Sequence, residues 1–162
     1  MQAGMAYKVF ISHSTRDQGL VTGLANMLNR YGVDVLVAEW YLQPGQPVAT
    51  KILQQIKSAD CVVVFLTRDG IRSGWVQQEI AAALGSHRLL VPLAEKGTPA
   101  RELAALQGLE WIEYDPSSPQ QALVRASSYV HALRLKKEQR EKALLVTGGI
   151  LAFLLLLSCA NE

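Results

Sequence analysis

The run Cys61-Val62-Val63-Val64-Phe65-Leu66 is apolar at six consecutive positions and β-branched at three. A strand with one wet face alternates in polarity, so an unbroken run of this length predicts a central parallel strand covered on both faces by helices. The segments on either side follow from that. Tyr7 to Ser12 (YKVFIS) reads as a first strand. Ser14 and Asp17 form an N-cap arrangement, and Leu20, Val21, Leu24, Met27, Leu28 and Tyr31 recur at helical spacing until Gly32 stops the helix. Val33 to Val37 is a second strand, and Val48, Ile52, Leu53 and Ile56 mark a second helix.

After the central strand, Thr67 to Gly74 reads as a polar loop. Trp75 to Leu84 reads as a helix capped by Ser73 with Val76, Ile80, Ala83 and Leu84 facing inward. Leu89 to Leu93 is a fourth strand, Pro99 to Leu106 a short helix, Leu109 to Tyr114 a fifth strand, Asp115 to Pro119 a turn and Pro119 to Leu135 a last helix. Strands alternating with helices five times predict an α/β, flavodoxin-like, doubly wound five-stranded parallel sheet. About 130 residues suffice to bury its core.

The 162 residues carry sixteen basic and fourteen acidic side chains, and the surplus is local. Residues 1 to 133 hold eleven of each sign, whereas 134 to 142 hold five basic and two acidic. A neutral head has no broad cationic field with which to follow a phosphate backbone, so no nucleic-acid partner is expected. Cys61 and Cys159 each lie in an apolar run, which predicts buried thiols, no disulfide and a reducing compartment.

From Ala143 to Ala160 the chain reads ALLVTGGILAFLLLLSCA, eighteen residues without a charge. As a helix this spans about 27 Å, enough to cross a bilayer. Arg134, Lys136, Lys137, Arg140 and Lys142 precede it, and cations beside a spanning helix stay on the cytoplasmic side. The expected organisation is a head domain at 1–133, a basic juxtamembrane segment at 134–142 and a single-pass transmembrane helix at 143–160. With only Asn161 and Glu162 beyond it and no signal peptide ahead, it reads as a tail anchor that leaves the head in the cytoplasm. Gly148 and Ala152, four apart, offer a small-residue face on which two anchors can approach.

In an open α/β sheet, ligands bind beyond the carboxyl ends of the strands where the winding reverses. That gathers Ser12 to Arg16, Ala38 to Pro47 and Thr67 to Gly74 around one crevice. Trp75 and Glu79, four apart, share a helix face at its rim. On spacing alone Glu79 reads first as a solvated surface carboxylate and Trp75 as a half-buried packing residue.

Three blocks read together are more specific. KVFISHSTRD at 8 to 17, VAEWYLQPGQPVATKI at 37 to 52 and DCVVVFLTRDGIRSGWVQQEI at 60 to 80 look like a Toll/interleukin-1 receptor (TIR) domain of the bacterial and archaeal branch. The resemblance covers roughly residues 7 to 133. It implies that the W-x-x-x-E element, here Trp75 and Glu79, carries the glutamate of an NAD+-cleaving activity. It further implies that Ser12, His13 and Arg16 approach the nucleotide and that the loop from Glu39 to Pro47, with Trp40 and Gly45, lines the pocket and mediates homo-oligomeric TIR–TIR contact. Many relatives have Asp in place of Glu39 and an aromatic residue in place of His13. NAD+ enters as substrate; no resident cofactor and no metal is implied.

Nicotinamide leaves a pyridinium as a neutral ring, so departure needs no proton donor. What remains is positive charge growing on the ribose, which a fixed carboxylate such as Glu79 stabilises. Trp75 either plates the base or ribose or wedges its helix against the sheet. His13 either meets phosphate or is solvated, and Arg16 either binds phosphate or pairs with Asp17. The resemblance implies a membrane-anchored NAD+ glycohydrolase or cyclase in immune or antiphage signalling; the alternative is a non-enzymatic scaffold acting through self-association. A response-regulator receiver needs an aspartate where Leu66 and Thr67 stand and is excluded. A nucleoside deoxyribosyltransferase shares the expected topology and stays a distant alternative.

Overall fold

A computed structural model describes residues 6–37, 45, 47–106 and 108–159. The elements are β1 (Lys8–Ser12), α1 (Gln18–Arg30), β2 (Asp34–Val37), α2 (Val48–Ser58), β3 (Cys61–Leu66), α3 (Arg68–Arg72), α4 (Gly74–Gly85), β4 (Leu89–Glu95), β5 (Ile112–Tyr114) and α5 (Pro119–Cys159). The five strands are parallel in the order β2-β1-β3-β4-β5, the flavodoxin-like order expected.

β3 sits at the centre with all six residues buried. Cys61, Val63 and Phe65 point into one core with α1 and α5, while Val62, Val64 and Leu66 point into the other with α2 and α4. A strand sandwiched this way has no wet face, which is why its sequence does not alternate. Burial also pushes the Cys61 thiol up to about 12, the largest of the effects on it, so it stays protonated. The neighbouring Tyr7 phenol is raised as well, chiefly by desolvation.

Several local expectations change. Thr67 to Gly74 is not all loop: Thr67 accepts the Gly70 N–H at 3.0 Å and starts the short helix α3. Leu84 was expected inward but is 41% exposed, and the buried face of α4 is Val76, Glu79, Ile80 and Ala83. A carboxylate thus completes the stripe. The fifth strand is only three residues, and Pro99 to Leu106 forms 3-10 turns over Ala100–Leu106.

α5 continues without a break through the basic segment, and its residues 142–158 are exposed. It is one helix long and apolar enough to cross a membrane, with a mean hydropathy of 1.8 in its most apolar stretch. Arg134 donates to the Tyr31 carbonyl and Lys137 to Asp60 at 2.8 Å, so the first turns of the basic segment are bound to the head.

Candidate active site

The carboxyl ends of β1 and β3 carry short polar turns, and these turns are tied together. Ser14 was expected to cap α1. Its hydroxyl instead donates to Asp17 at 2.7 Å, and a 3-10 turn at Thr15–Asp17 precedes the helix. The Thr67 hydroxyl donates to the same Asp17 oxygen at 2.8 Å while accepting from Gly70. Asp17 is thus a buried carboxylate held by two hydroxyls from two loops. Gly70 is obligatory in this clasp, because a Cβ there would lie 2.2 Å from the Phe65 carbonyl oxygen.

Glu79 is 3% exposed, not the solvated carboxylate that spacing alone allowed. α4, started by Ser73 accepting the Val76 N–H at 3.3 Å, turns Glu79 towards the sheet, where the Ser12 hydroxyl at the end of β1 donates to it. The pair joins residues 67 apart in the chain. A hydroxyl donor orients a carboxylate without adding charge of its own.

Two cavities adjoin this arrangement. The larger, about 540 Å³, is lined by His13, Ser14, Thr15, Arg16, Asp69 and Arg72 together with Val48, Ile52, Ser73 and Trp75. That is the size range of a small-molecule site. The smaller, about 190 Å³, is lined by Glu79, Gln78, Trp75 and the apolar Ala49, Ile52, Leu53, Ile56 and Ala82. Trp75 and Ile52 belong to both, so the half-exposed indole stands between the chamber that holds Arg16 and Arg72 and the carboxylate recess.

The sequence-derived residues therefore meet in part. Ser12, His13, Arg16, Trp75 and Glu79 converge at one end of the sheet. His13 is buried, contrary to a solvated loop residue, and Arg16 pairs at 3.5 Å with Asp69, not with Asp17. Gly45 lies exposed in a turn with a φ of 80°, the backbone state that a Pro-Gly signal requires. Glu39 and Trp40 lie outside the described residues. The crevice expected to take in Thr67 to Gly74 is lined by Asp69 and Arg72 from that stretch. The pairing of Asp17 with Thr67 was missed, since no spacing signal links residues on separate loops. Among the described residues no cluster of His, Cys, Asp and Glu could hold a metal ion.

A family model described as TIR domain matches residues 9–126. The 2′ cyclic ADP-D-ribose synthase AbTIR of Acinetobacter baumannii is 30% identical over 97 residues, 57% of this chain and 36% of that protein. The 2′ cyclic ADP-D-ribose synthase BtTIR of Bacteroides thetaiotaomicron is 27% identical over 97 residues, 57% of this chain and 34% of that protein. The match thus spans about a third of the length of these two relatives. Among solved structures, the TIR domain of the Toll-related receptor TRR-2 from Hydra magnipapillata superimposes with a TM-score of 0.57 at 16% identity, covering 84% of this chain and 98% of that one.

Proposed function

Since the chain belongs to the TIR domain family, we propose that it cleaves the bond between nicotinamide and ribose in NAD+, as a glycohydrolase or ADP-ribosyl cyclase. One observation carries this reading: Glu79, buried on α4 and held by the Ser12 hydroxyl, lines an apolar recess one helical turn from Trp75. Two relatives named as 2′ cyclic ADP-D-ribose synthases support it.

In this mechanism the C1′–N bond breaks with both electrons going to the pyridinium nitrogen, and nicotinamide leaves neutral. The positive charge moves to the ribose, where the Glu79 carboxylate stabilises it; the apolar walls of the recess lower the local dielectric and strengthen that attraction. A nucleophile then captures the cation and releases a proton. Water yields ADP-ribose, and a hydroxyl of the same molecule yields a cyclic isomer. Arg16 and Arg72 line the larger chamber and suit the diphosphate, with Trp75 between it and the reacting sugar.

The apolar end of α5 anchors the protein in a membrane with the domain on the cytoplasmic side, and copies gathered there associate through TIR–TIR contacts. The setting is immune or antiphage signalling, a reading that rests on family membership alone. The decisive experiment is product chromatography of the full chain in liposomes given NAD+, comparing wild type with Glu79→Gln. The expected loss in the variant is at least about a hundredfold in kcat, typical of removing one transition-state charge stabiliser. Equal rates, or no NAD+ loss by either protein, would overturn the enzymatic reading and leave the self-associating scaffold.

A further inference from the structure

The two ends of the sheet are chemically different, and α5 leaves from the end opposite the cavities. It descends from Tyr114 past the cores and reaches the amino ends of β1 and β3. There Lys137 bonds Asp60, Asp60 accepts the Lys8 N–H at 2.8 Å, and the Lys137 ammonium lies 5.7 Å from the Tyr7 ring centre. Arg134 meets the Tyr31 carbonyl, and His131 stacks on Tyr31 at 4.2 Å. These contacts clasp the helix to the base of the domain a few residues before the apolar stretch begins.

The same base is basic. Arg30 and Lys57 occupy the last turns of α1 and α2, whose carboxyl ends lie at this pole, and both are exposed. Lys136, Arg140 and Lys142 are exposed on the emerging helix. The acidic groups here are Asp34, exposed at the start of β2, and Glu110, exposed just ahead of β5, together with Asp60, Glu138 and Glu141, which are engaged by Lys137 and Arg134.

We propose that this pole is a docking surface for an anionic lipid bilayer, with α5 as a rigid post, so that the Glu79 recess and its neighbouring chamber open away from the membrane. The proposal rests on the reading of 143–160 as membrane-spanning and extends it. A continuous helix transmits orientation where a flexible linker would not, and cations beside the surface are each drawn to anionic headgroups. Lys8 to Ser12 along β1 adds about 13 Å and Lys137 to Ala143 about 9 Å, so the crevice stands about 20 Å above the hydrocarbon edge.

The test uses the full chain in a Cys159→Ser background, since Cys61 is buried and held as a thiol. A fluorophore is attached at Lys57→Cys or at Asp69→Cys, and the protein is reconstituted into vesicles bearing a headgroup spin label. The vesicles are phosphatidylcholine alone or phosphatidylcholine with phosphatidylserine. The expected result is that the label at 57 loses most of its fluorescence, the label at 69 keeps it, and phosphatidylserine widens the difference. Similar quenching at both positions, stronger quenching at 69, or a difference unaffected by phosphatidylserine would overturn the proposal. Flotation of the same samples separates the failures: a chain that does not rise with vesicles defeats the anchoring itself, whereas a floating chain with equal quenching defeats only the orientation.

Discussion

Asp17 and Asp60 are both carboxylates beside the central strands, yet the two ends of the sheet treat them differently. At the amino end, Asp60 is met by an ammonium and a backbone N–H, which cancel its charge and fasten α5. At the carboxyl end, Asp17 is met by two hydroxyls, and Glu79 receives a third. A cation neutralises a carboxylate; a hydroxyl orients it. The lower contact is therefore suited to holding the fold, and the upper ones to keeping loops in register beside a cavity.

That contrast can be broken in several ways. The largest effect is expected from Gly70→Ala, whose Cβ collides with the Phe65 backbone and forces α3 off Thr67. A loss on the order of 3 kcal/mol in denaturant unfolding is expected, together with NAD+ turnover. Next comes Asp17→Asn, which weakens the clasp between the two loops. Turnover per folded molecule is expected to fall about tenfold, with KM for NAD+ rising as the Arg16 loop loosens; unchanged kinetics would make Asp17 a purely structural residue.

Asp60→Asn should give the opposite pattern. The ion pair is only partly shielded, so about 1 kcal/mol of stability is expected to go, with kcat intact. Equal kinetic damage from Asp17→Asn and Asp60→Asn would erase the distinction between the poles. Removing residues 143–162 should lower NAD+ turnover in dilute solution relative to the full chain in liposomes, because membrane confinement raises the local concentration of domains. Equal rates would show that assembly does not need the anchor.

The smallest effect at neutral pH belongs to Cys61. Its thiol moves from 9.0 to about 12 on folding, so the unfolded chain ionises first as pH rises. The contribution is fully present below pH 9 and declines through pH 12. Cys61→Ala should flatten the alkaline loss of stability measured by urea unfolding across that window, while the raised Tyr7 phenol preserves part of it.

How much of this was legible beforehand depends on how far apart the interacting residues lie in the chain. The unbroken run at Cys61 to Leu66 and the helical spacing of α1 announced a covered parallel sheet, because both periods are local properties of the backbone. Glu79 was singled out by a four-residue spacing and a family resemblance. Its burial was not legible, since helical periodicity assigns a carboxylate to the wet side by default. Leu84 failed for the converse reason: an apolar residue near a helix end needs no inward partner.

The amino-acid order by itself determined the longer helices, the central strands, their parallel arrangement and the long apolar stretch, for each follows from runs and repeats within a dozen or so neighbouring residues; the short α3 and the brevity of β5 did not follow from it. Only the tertiary structure decided that Ser12 meets Glu79, that Thr67 meets Asp17 and that Lys137 meets Asp60, across separations of 67, 50 and 77 residues. Hydrogen bonds between elements far apart in the chain leave no periodic trace in a sequence, because only the crossovers of the folded chain bring their partners within reach.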